Sequence, residues 1–248
     1  MSNVKKHKSI SSANLARILS DKSDFATTET YKSVRTNIMF SLPKSDKAKM
    51  ITVSSACPGE GKTTTAINLA ITFAQTGVRT LIVDCDLRKS RVHRYLGLER
   101  GVGLSNVLCG FASFNDAVRR NVRPNLDCLT SGELPPNPSE LLVSKEFQNF
   151  INNISECYDY VIFDTPPMNV VTDAVVVSKA TTGLVIVLRR GISTFNMMDK
   201  VVESVSNSDI NVLGVIFLGN NEKKRPYKYS YKNRYIYEYN DNSDSSNE

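Results

Sequence analysis

The feature that most constrains how this chain can fold is a glycine-rich loop between an apolar run and a helical run. Residues 50–54 are rich in apolar and β-branched side chains, residues 56–63 read ACPGEGKT, and apolar residues at helical spacing continue to Gln75. A strand that leads through such a loop straight into a helix is the context of a P-loop, a cradle for phosphate groups. The segment therefore predicts a strand, a phosphate-binding loop and a helix in succession.

Each residue type in this loop suits the binding of ATP. Gly59 and Gly61 let backbone N–H groups turn toward an anion, and the start of the helix adds its partial positive charge. Lys62 can reach the β- and γ-phosphates, and the Thr63 hydroxyl can ligate Mg²⁺. Ala56 stands where the usual pattern has its first glycine. The predicted nucleotide-binding residues of the loop are Pro58, Gly59, Glu60, Gly61, Lys62, Thr63 and Thr64.

Apolar runs that alternate with helical stretches predict an α/β fold with a doubly wound, mainly parallel sheet. The runs LIV, VIF and LVIV at 81–83, 161–163 and 184–187 are continuously apolar, as strands buried on both faces must be. Helical stretches between them make a βαβ series. The predicted strands are 50–54, 80–84, 126–130, 160–164, 184–188 and 212–218, and the predicted helices are 29–42, 63–75, 144–156, 172–180 and 194–207.

The chain divides by composition into three parts. Residues 1–28 are polar and rich in Ser and Lys, which predicts a mobile N-terminal arm with at most a short helix. Residues 29–221 carry the alternating pattern and form the predicted P-loop domain. Residues 222–248 are polar, charged and rich in tyrosine, and they lack the apolar surface needed to offset chain entropy. We therefore expect this last segment to be disordered.

Acidic residues at the ends of two predicted strands would complete a metal and phosphate site. Asp164 ends the run YVIFD as a Walker B acid, and Asp84 and Asp86 follow the run LIV. In an open parallel sheet the ligand lies at the carboxyl ends of the strands, where these acids and the loop would meet. Of the paired acids, one could hold Mg²⁺ through water while the other accepts a proton from an attacking hydroxyl. The simpler interpretation is one ligand and one solvated aspartate.

Six of the ten tyrosines lie in the last polar segment, away from any predicted core. A flexible tail could present its phenols to a neighbouring subunit's ATP site, and each phosphate would add about 1.5 to 2 negative charges to a basic segment. Two other interpretations are an edge strand and a stacking platform for single-stranded nucleic acid. The predicted phosphoacceptors are Tyr227, Tyr229, Tyr231, Tyr235, Tyr237 and Tyr239.

Composition narrows the classes of function. No apolar run approaches the roughly 18 uncharged residues of a membrane span, and residues 1–12 lack the apolar stretch of a secretory signal. The net charge of +6 is modest, and the basic residues are not interleaved with stacking aromatics in a long run, so no nucleic-acid partner is expected. The five cysteines are scattered without metal spacing. We expect a cytoplasmic protein with free thiols.

Four segments together closely resemble the bacterial P-loop tyrosine kinases of capsular and exopolysaccharide synthesis. They are PGEGKT at 58–63, VDCDLRK at 83–89, FDTPP at 163–167 and PPNPSELL at 135–142. The resemblance implies an ATP- and Mg²⁺-dependent kinase that phosphorylates its own tail and regulates polysaccharide synthesis and export. It implies the following roles: Lys62 binds phosphates, Thr63, Asp86 and Asp164 hold the metal, Asp84 is the catalytic base, and Asn220 contacts adenine.

The same resemblance implies partners. Relatives form a ring through a helix with the pattern E-x-x-R-x-x-R, which here reads Glu29, Lys32 and Arg35, and lysine lacks the bidentate fork of arginine. A membrane-bound activator with a cytosolic tail would recruit the chain to the inner face of the cell membrane. A tyrosine phosphatase would reverse the reaction.

Two rival functions belong to other classes. One is a nucleotide-switched positioning or partition ATPase, whose extra lysine near the start of the loop is replaced by Cys57 and Pro58. The other is a non-catalytic ATP-binding adaptor. The missing lysine and the tyrosine cluster count against the ATPase. The adaptor is disfavoured by the intact set of Lys62, Asp84, Asp86 and Asp164.

Overall fold

The sheet has the doubly wound α/β architecture that the sequence predicts. A computed structural model describes residues 17–45 and 47–219 of the chain. Its strands are β1 (Lys49–Ser55), β2 (Thr80–Asp84), β3 (Arg119–Arg123), β4 (Leu126–Leu129), β5 (Tyr160–Asp164), β6 (Gly183–Arg189) and β7 (Val212–Leu218). Their order in the sheet is β3-β4-β2-β5-β1-β6-β7. Neighbouring strands are parallel, with the exception of β3, which pairs antiparallel with β4.

Helices cover both faces of this sheet. They are α1 (Phe25–Ser41), α2 (Lys62–Ala74), α3 (Val92–Tyr95), α4 (Leu104–Leu108), α5 (Phe114–Ala117), α6 (Pro138–Val143), α7 (Lys145–Cys157), α8 (Asp173–Lys179) and α9 (Phe195–Ser206). α1, α2 and α3 pack on one face, and α4 to α9 pack on the other. In the part of the chain that the structure describes, no helix is both long and apolar enough to cross a membrane.

Alternation along the strands builds the two hydrophobic layers. Ile51 and Val53 of β1 face α2, whereas Met50 faces α7 on the opposite side. Eleven of the 13 residues of α2 are buried, because this helix lies between the sheet and α1. Full burial of an Ile or Leu side chain stabilises a fold by about 1.5–3 kcal/mol. The helix that begins with Lys62 is therefore held firmly in place.

The strand order brings three distant segments to one edge of the sheet. β5 lies between β2 and β1, so that Asp84 and Asp164 are register partners and Asp164 also pairs with Val53. β1 ends beside them at Ser55 and leads into the glycine-rich loop. Since all three strands are parallel, their carboxyl ends form one crevice.

Six elements differ from the sequence prediction: β3, the start of α1, and the short helices α3, α4, α5 and α6, which were not predicted. β3 was not predicted, because its residues RRNVR show no apolar alternation and it pairs irregularly, with Asn121 at a φ of +50°. α1 begins at Phe25 instead of residue 29, because the carboxylate of Asp24 accepts a hydrogen bond from the Thr27 N–H at 2.8 Å and caps the helix. The six predicted strands and five predicted helices are otherwise present within a few residues.

The described end of the predicted N-terminal arm is packed on the domain. Ile18 and Leu19 are buried against α2, and the Leu19 N–H donates to the Oδ1 of Asn68 at 2.9 Å. The domain therefore begins before residue 29, which corrects the predicted boundary. Residues 1–16 and 220–248 lie outside the described residues, and so do the tyrosine-rich tail and Asn220.

Candidate active site

The glycine-rich loop has the backbone that a phosphate cradle requires. Gly59 and Gly61 have φ values of +91° and +96°, in the left-handed region where a Cβ is disfavoured. A Cβ on Gly61 would also lie 2.8 Å from the Cδ1 of Leu218. α2 starts directly after Gly61, so its unpaired N–H groups face the crevice. Glycine is therefore needed at this position both for conformation and for space.

A buried carboxylate ties this loop to the segment after β6. Glu60 is fully buried, and its Oε2 accepts a hydrogen bond from the Cys57 N–H at 2.7 Å. Its Oε1 accepts a hydrogen bond from the Ser193 hydroxyl, whose oxygen accepts in turn from the Arg189 N–H at 2.8 Å. The side chain of Glu60 is thus occupied by protein partners, and what it offers to a phosphate is its backbone N–H.

Lys62 lies between two of the predicted acids. Its Nζ is 3.0 Å from the Oδ2 of Asp86 and 3.3 Å from the Oδ1 of Asp164, while the Thr63 hydroxyl donates to the Oδ2 of Asp164 at 2.7 Å. Burial alone would lower the pKa of Lys62, but the charges of Asp164 and Asp86 outweigh it and hold the pKa above its ordinary value. The lysine is therefore charged at neutral pH.

Asp84 and Asp164 share an environment that disfavours two negative charges. Burial raises the pKa of Asp164, and the positive charge of Lys62 opposes that rise. Burial and the nearby charge of Asp164 raise the pKa of Asp84 to about 8. Desolvation and like charge are the ordinary causes of a raised carboxyl pKa. One of the acids at this edge is thus poised to exchange a proton near neutral pH.

The paired acids of the VDCD segment face different ways. The Oδ1 of Asp84 accepts the Asp86 N–H at 3.2 Å, and its Oδ2 accepts the N–H groups of Arg91 and Val92 at 3.1 Å each. Asp84 is fully buried behind the crevice. Asp86 lines the crevice and accepts the Lys89 N–H at 2.9 Å through its Oδ1. Asp84 therefore shapes the loop after β2, and Asp86 is the member that faces a ligand.

An open cavity of about 280 Å³ lies in front of these groups. Pro58, Gly59 and Thr64 of the predicted set line it, as do Pro166 and Val170 from the segment after β5. Its lining also carries an excess of cations, which suits a polyphosphate anion. These cations are Arg17, Lys62, Arg88, Lys89, Arg91 and Arg189.

A further buried acid, Asp173, which was not predicted from the sequence, fixes one of these cations. Asp173 is fully buried at the start of α8, and its Oδ2 lies 3.0 Å from the Nε of Arg88. The Ser139 hydroxyl oxygen is 2.6 Å from the Oδ1 of Asp173 and accepts from the Nη2 of Arg88 at 2.8 Å. An acid in the first turn of a helix usually complements the helix dipole. That ordinary explanation is why the sequence pattern did not single out Asp173.

The residues predicted for ring assembly are engaged within the chain. The Nζ of Lys32 lies 2.7 Å from the Oε1 of Glu29, and the Nη1 of Arg35 donates to the Thr72 carbonyl near the end of α2 at 2.7 Å. α1 buries only Ile38 fully. Much of the helix surface is therefore open to solvent, whereas Glu29, Lys32 and Arg35 are partly buried.

Sequence comparisons show that this chain is similar to a known domain family and to tyrosine-protein kinases. Residues 48–211 match the AAA domain family. The tyrosine-protein kinase YwqD of Bacillus subtilis is 43% identical over 204 residues, which cover 82% of this chain and 85% of YwqD. The tyrosine-protein kinase CpsD of Streptococcus agalactiae is 36% identical over 202 residues, covering 81% of this chain and 87% of CpsD.

Solved structures of tyrosine kinases have the same fold as this chain. The chimerical protein CapA2B2 superposes with a TM-score of 0.76 at 38% identity, covering 83% of this chain and 89% of the chimera. The kinase domain of the Escherichia coli tyrosine kinase ETK has a TM-score of 0.76 at 30% identity, and the match covers 83% of this chain and 80% of the ETK chain. The septum site-determining protein MinD of Pyrococcus horikoshii shares the fold. Its identity is 23% and its TM-score 0.61, and the match covers 72% of this chain and 73% of MinD.

Proposed function

Because the chain belongs to the bacterial tyrosine-protein kinases, we propose that it transfers the γ-phosphoryl group of ATP to tyrosines of its own residues 222–248. The observation that carries this proposal is the convergence of Lys62 on Asp86 and Asp164 at the mouth of the glycine-rich loop. We further propose that the reaction regulates capsular or exopolysaccharide synthesis and export. That role follows from the family to which the chain belongs.

The residues present fit Mg-ATP. The left-handed glycines leave room for phosphate oxygens, the start of α2 offers N–H donors, and Lys62 supplies a buried positive charge. Thr63, Asp86 and Asp164 are the oxygen donors that would hold Mg²⁺, directly or through water. When bound, Mg²⁺ neutralises charge that develops on the transferring phosphates.

The chain's own residues account for the rest of the transfer. The tyrosine oxygen forms a bond to the γ-phosphorus, the bond from that phosphorus to the bridging oxygen breaks, and ADP leaves with the electron pair. Lys62 stabilises the charge on the phosphoryl oxygens. The phenolic proton passes to a carboxylate at the sheet edge, and the pKa of Asp84, raised to about 8, is closer to that of a phenol, about 10, than an ordinary aspartate's is.

The predicted base role of Asp84 has a structural condition. Its carboxylate is buried and accepts the N–H groups of Arg91 and Val92, so it reaches a phenol only when residues 87–92 release it. If Asp84 instead only positions this loop, Asp84→Asn slows transfer without altering its pH profile. If Asp84 is the base, the variant also removes the rise in rate with pH that its titration produces.

We propose that the acceptor reaches the site from another copy of the chain. Exposed apolar residues of α1, Phe25, Met39 and Phe40, together with Glu29, Lys32 and Arg35, support a ring built through this helix. A membrane-bound activator with a cytosolic tail would recruit the protein to the inner face of the membrane from the cytoplasm. A tyrosine phosphatase would return the tail to its basic state.

One assay tests the proposed function. The purified full chain is incubated with Mg-ATP and the activator's cytosolic tail, and phosphotyrosine is mapped by mass spectrometry. We expect phosphate on Tyr227, Tyr229, Tyr231, Tyr235, Tyr237 and Tyr239, no labelling in Lys62→Met, and retained ATP binding when all six tyrosines are replaced by Phe. Consumption of ATP without phosphotyrosine would instead favour a nucleotide-switched positioning ATPase.

A further inference from the structure

The chain that precedes α1 reaches the nucleotide cavity. Arg17 lines this cavity together with Lys62 and Thr64, although it is separated from them by more than forty positions in the sequence. It comes from the segment that composition predicted to be a mobile arm. Its presence at the site therefore needs a cause in the tertiary structure.

That cause is the side-chain amide of Asn68, which holds the backbone on both sides of Ile18. The Oδ1 of Asn68 accepts the Leu19 N–H at 2.9 Å, and its Nδ2 donates to the Arg17 carbonyl at 2.9 Å. Asn68 is fully buried on α2, the helix that begins with Lys62. Both hydrogen-bonding groups of a buried amide are thus used to hold one short stretch of chain.

Hydrophobic burial fixes the same stretch independently. Ile18 and Leu19 are 5% and 2% exposed and belong to the same hydrophobic cluster as the buried residues of α2. The backbone at Arg17 is therefore anchored at its carbonyl and at the two residues that follow it, while its side chain stays exposed at the cavity. An arginine whose only role was to be solvated at the surface would not require an anchored backbone.

The charge pattern of the cavity favours an anionic ligand. Lys62 is paired with Asp86 and Asp164, and Arg88 is paired with Asp173. No ion pair among the described residues engages Arg17. An exposed guanidinium at a phosphate cradle offers a planar fork that matches two phosphate oxygens.

We propose that Arg17 is a nucleotide-binding residue that contacts the phosphate oxygens of ADP and ATP, and that Asn68 is the positioning residue that delivers it. The inference rests on the proposed binding of nucleotide in the cavity and does not depend on phosphate transfer to tyrosine. It places part of the binding site in the segment before the first helix.

Binding of fluorescent mant-ADP to the full chain tests the proposal. Arg17→Ala is expected to weaken ADP and ATP binding on the order of ten-fold, the loss of about one charge-assisted interaction, and to leave adenosine binding unchanged. Arg17→Lys keeps the charge without the fork and should recover part of the affinity. Arg94→Ala, an exposed arginine of α3 that does not line the cavity, is the matched control and should bind like the wild type.

Asn68→Ala separates positioning from contact. It should weaken ADP binding to a similar degree, and adding it to Arg17→Ala should cause little further loss, because both changes remove the same interaction. Unchanged ADP affinity in Arg17→Ala, measured at low salt, overturns the proposal. Additive losses in the double variant overturn the role of Asn68. Absence of phosphotyrosine in the wild type would instead count against the kinase proposal and leave these binding results intact.

Discussion

Asp84 and Asp164 are register partners on adjacent parallel strands, and both are fully buried at the edge where the nucleotide cavity opens. Their backbones are also linked, because the Cys85 N–H donates to the Asp164 carbonyl at 2.8 Å. Two carboxylates fixed in this way cannot separate to relieve their repulsion. Lys62 is the group that compensates them, and the following predictions depend on this balance.

The first prediction concerns stability and pH. The pKa of Asp84 is 3.8 ordinarily and about 8 in the fold, so the native state keeps a proton that the unfolded chain has lost. This contribution is complete below the unfolded pKa and disappears as the pH rises toward 8. Asp84→Asn has no such proton. As the pH rises, its free energy of unfolding should therefore fall less steeply than that of the wild type, and the two slopes should differ by on the order of 1 kcal/mol for each pH unit.

Urea unfolding between about pH 5 and pH 8 measures this difference. Asp159→Asn is the control, because hydrogen bonds from Arg79 lower the pKa of Asp159 and place its titration below that range. Parallel stability profiles for the wild type and Asp84→Asn would show that Asp84 does not titrate as described.

The second prediction concerns the compensating lysine. Lys62→Met leaves Asp86 and Asp164 without their cation, and removing one member of a buried pair is destabilising by about 3–5 kcal/mol. The loss should shrink as the pH falls, because protonation of the acids relieves their repulsion. Chemical unfolding at two pH values measures it, with Lys22→Met, an exposed lysine, as the control. Equal destabilisation at both pH values would contradict the electrostatic explanation.

The third prediction concerns the tether of the glycine-rich loop. Ser193→Ala leaves an oxygen of buried Glu60 without its donor, which destabilises by about 1–3 kcal/mol. The loop is then less well held, and ADP should bind about five-fold more weakly. Thermal unfolding and mant-ADP titration measure the two effects. Ser204→Ala, whose hydroxyl bonds only within its own helix, should change neither.

The fourth prediction contrasts two arginine–aspartate pairs. Arg88→Ala leaves Asp173 buried and short of a partner, with an expected loss of about 1–3 kcal/mol in the free energy of unfolding, reduced because Arg88 is 38% exposed. Arg79→Ala breaks a pair that solvent screens, because the side chains of Arg79 and Asp159 are 62% and 42% exposed, and it should lose less stability than Arg88→Ala. Urea unfolding compares them. A larger loss for Arg79→Ala would contradict the burial argument.

Much of the fold was predictable because its determinants are local. Continuous apolar runs marked β2 and β5 with the bounds that the structure has, and Gly77 ended the helix that follows the loop. β3 was missed, since a polar edge strand that pairs with β4 carries no hydrophobic period. The early start of α1 was missed because a single cap residue, Asp24, decides it.

The site was predictable in its residue types and less so in their orientation. Lys62, Asp86 and Asp164 could be chosen because each ends or follows a strand that leads to one sheet edge. Their contacts depend on β5 lying between β1 and β2, and local sequence patterns do not predict this strand order. The burial of Asp84 behind Asp86 depends on the path of residues 87–92.

The amino-acid sequence alone determined the phosphate loop, the parallel sheet and the acids at the strand ends, because each follows from neighbours a few residues apart. Only the tertiary structure decided which distant groups meet. Arg88 and Asp173 lie 85 positions apart, and Asn68 and Arg17 lie 51 apart. Such contacts depend on how the helices pack on a sheet with this strand order. Local periodicity in the sequence does not predict that packing.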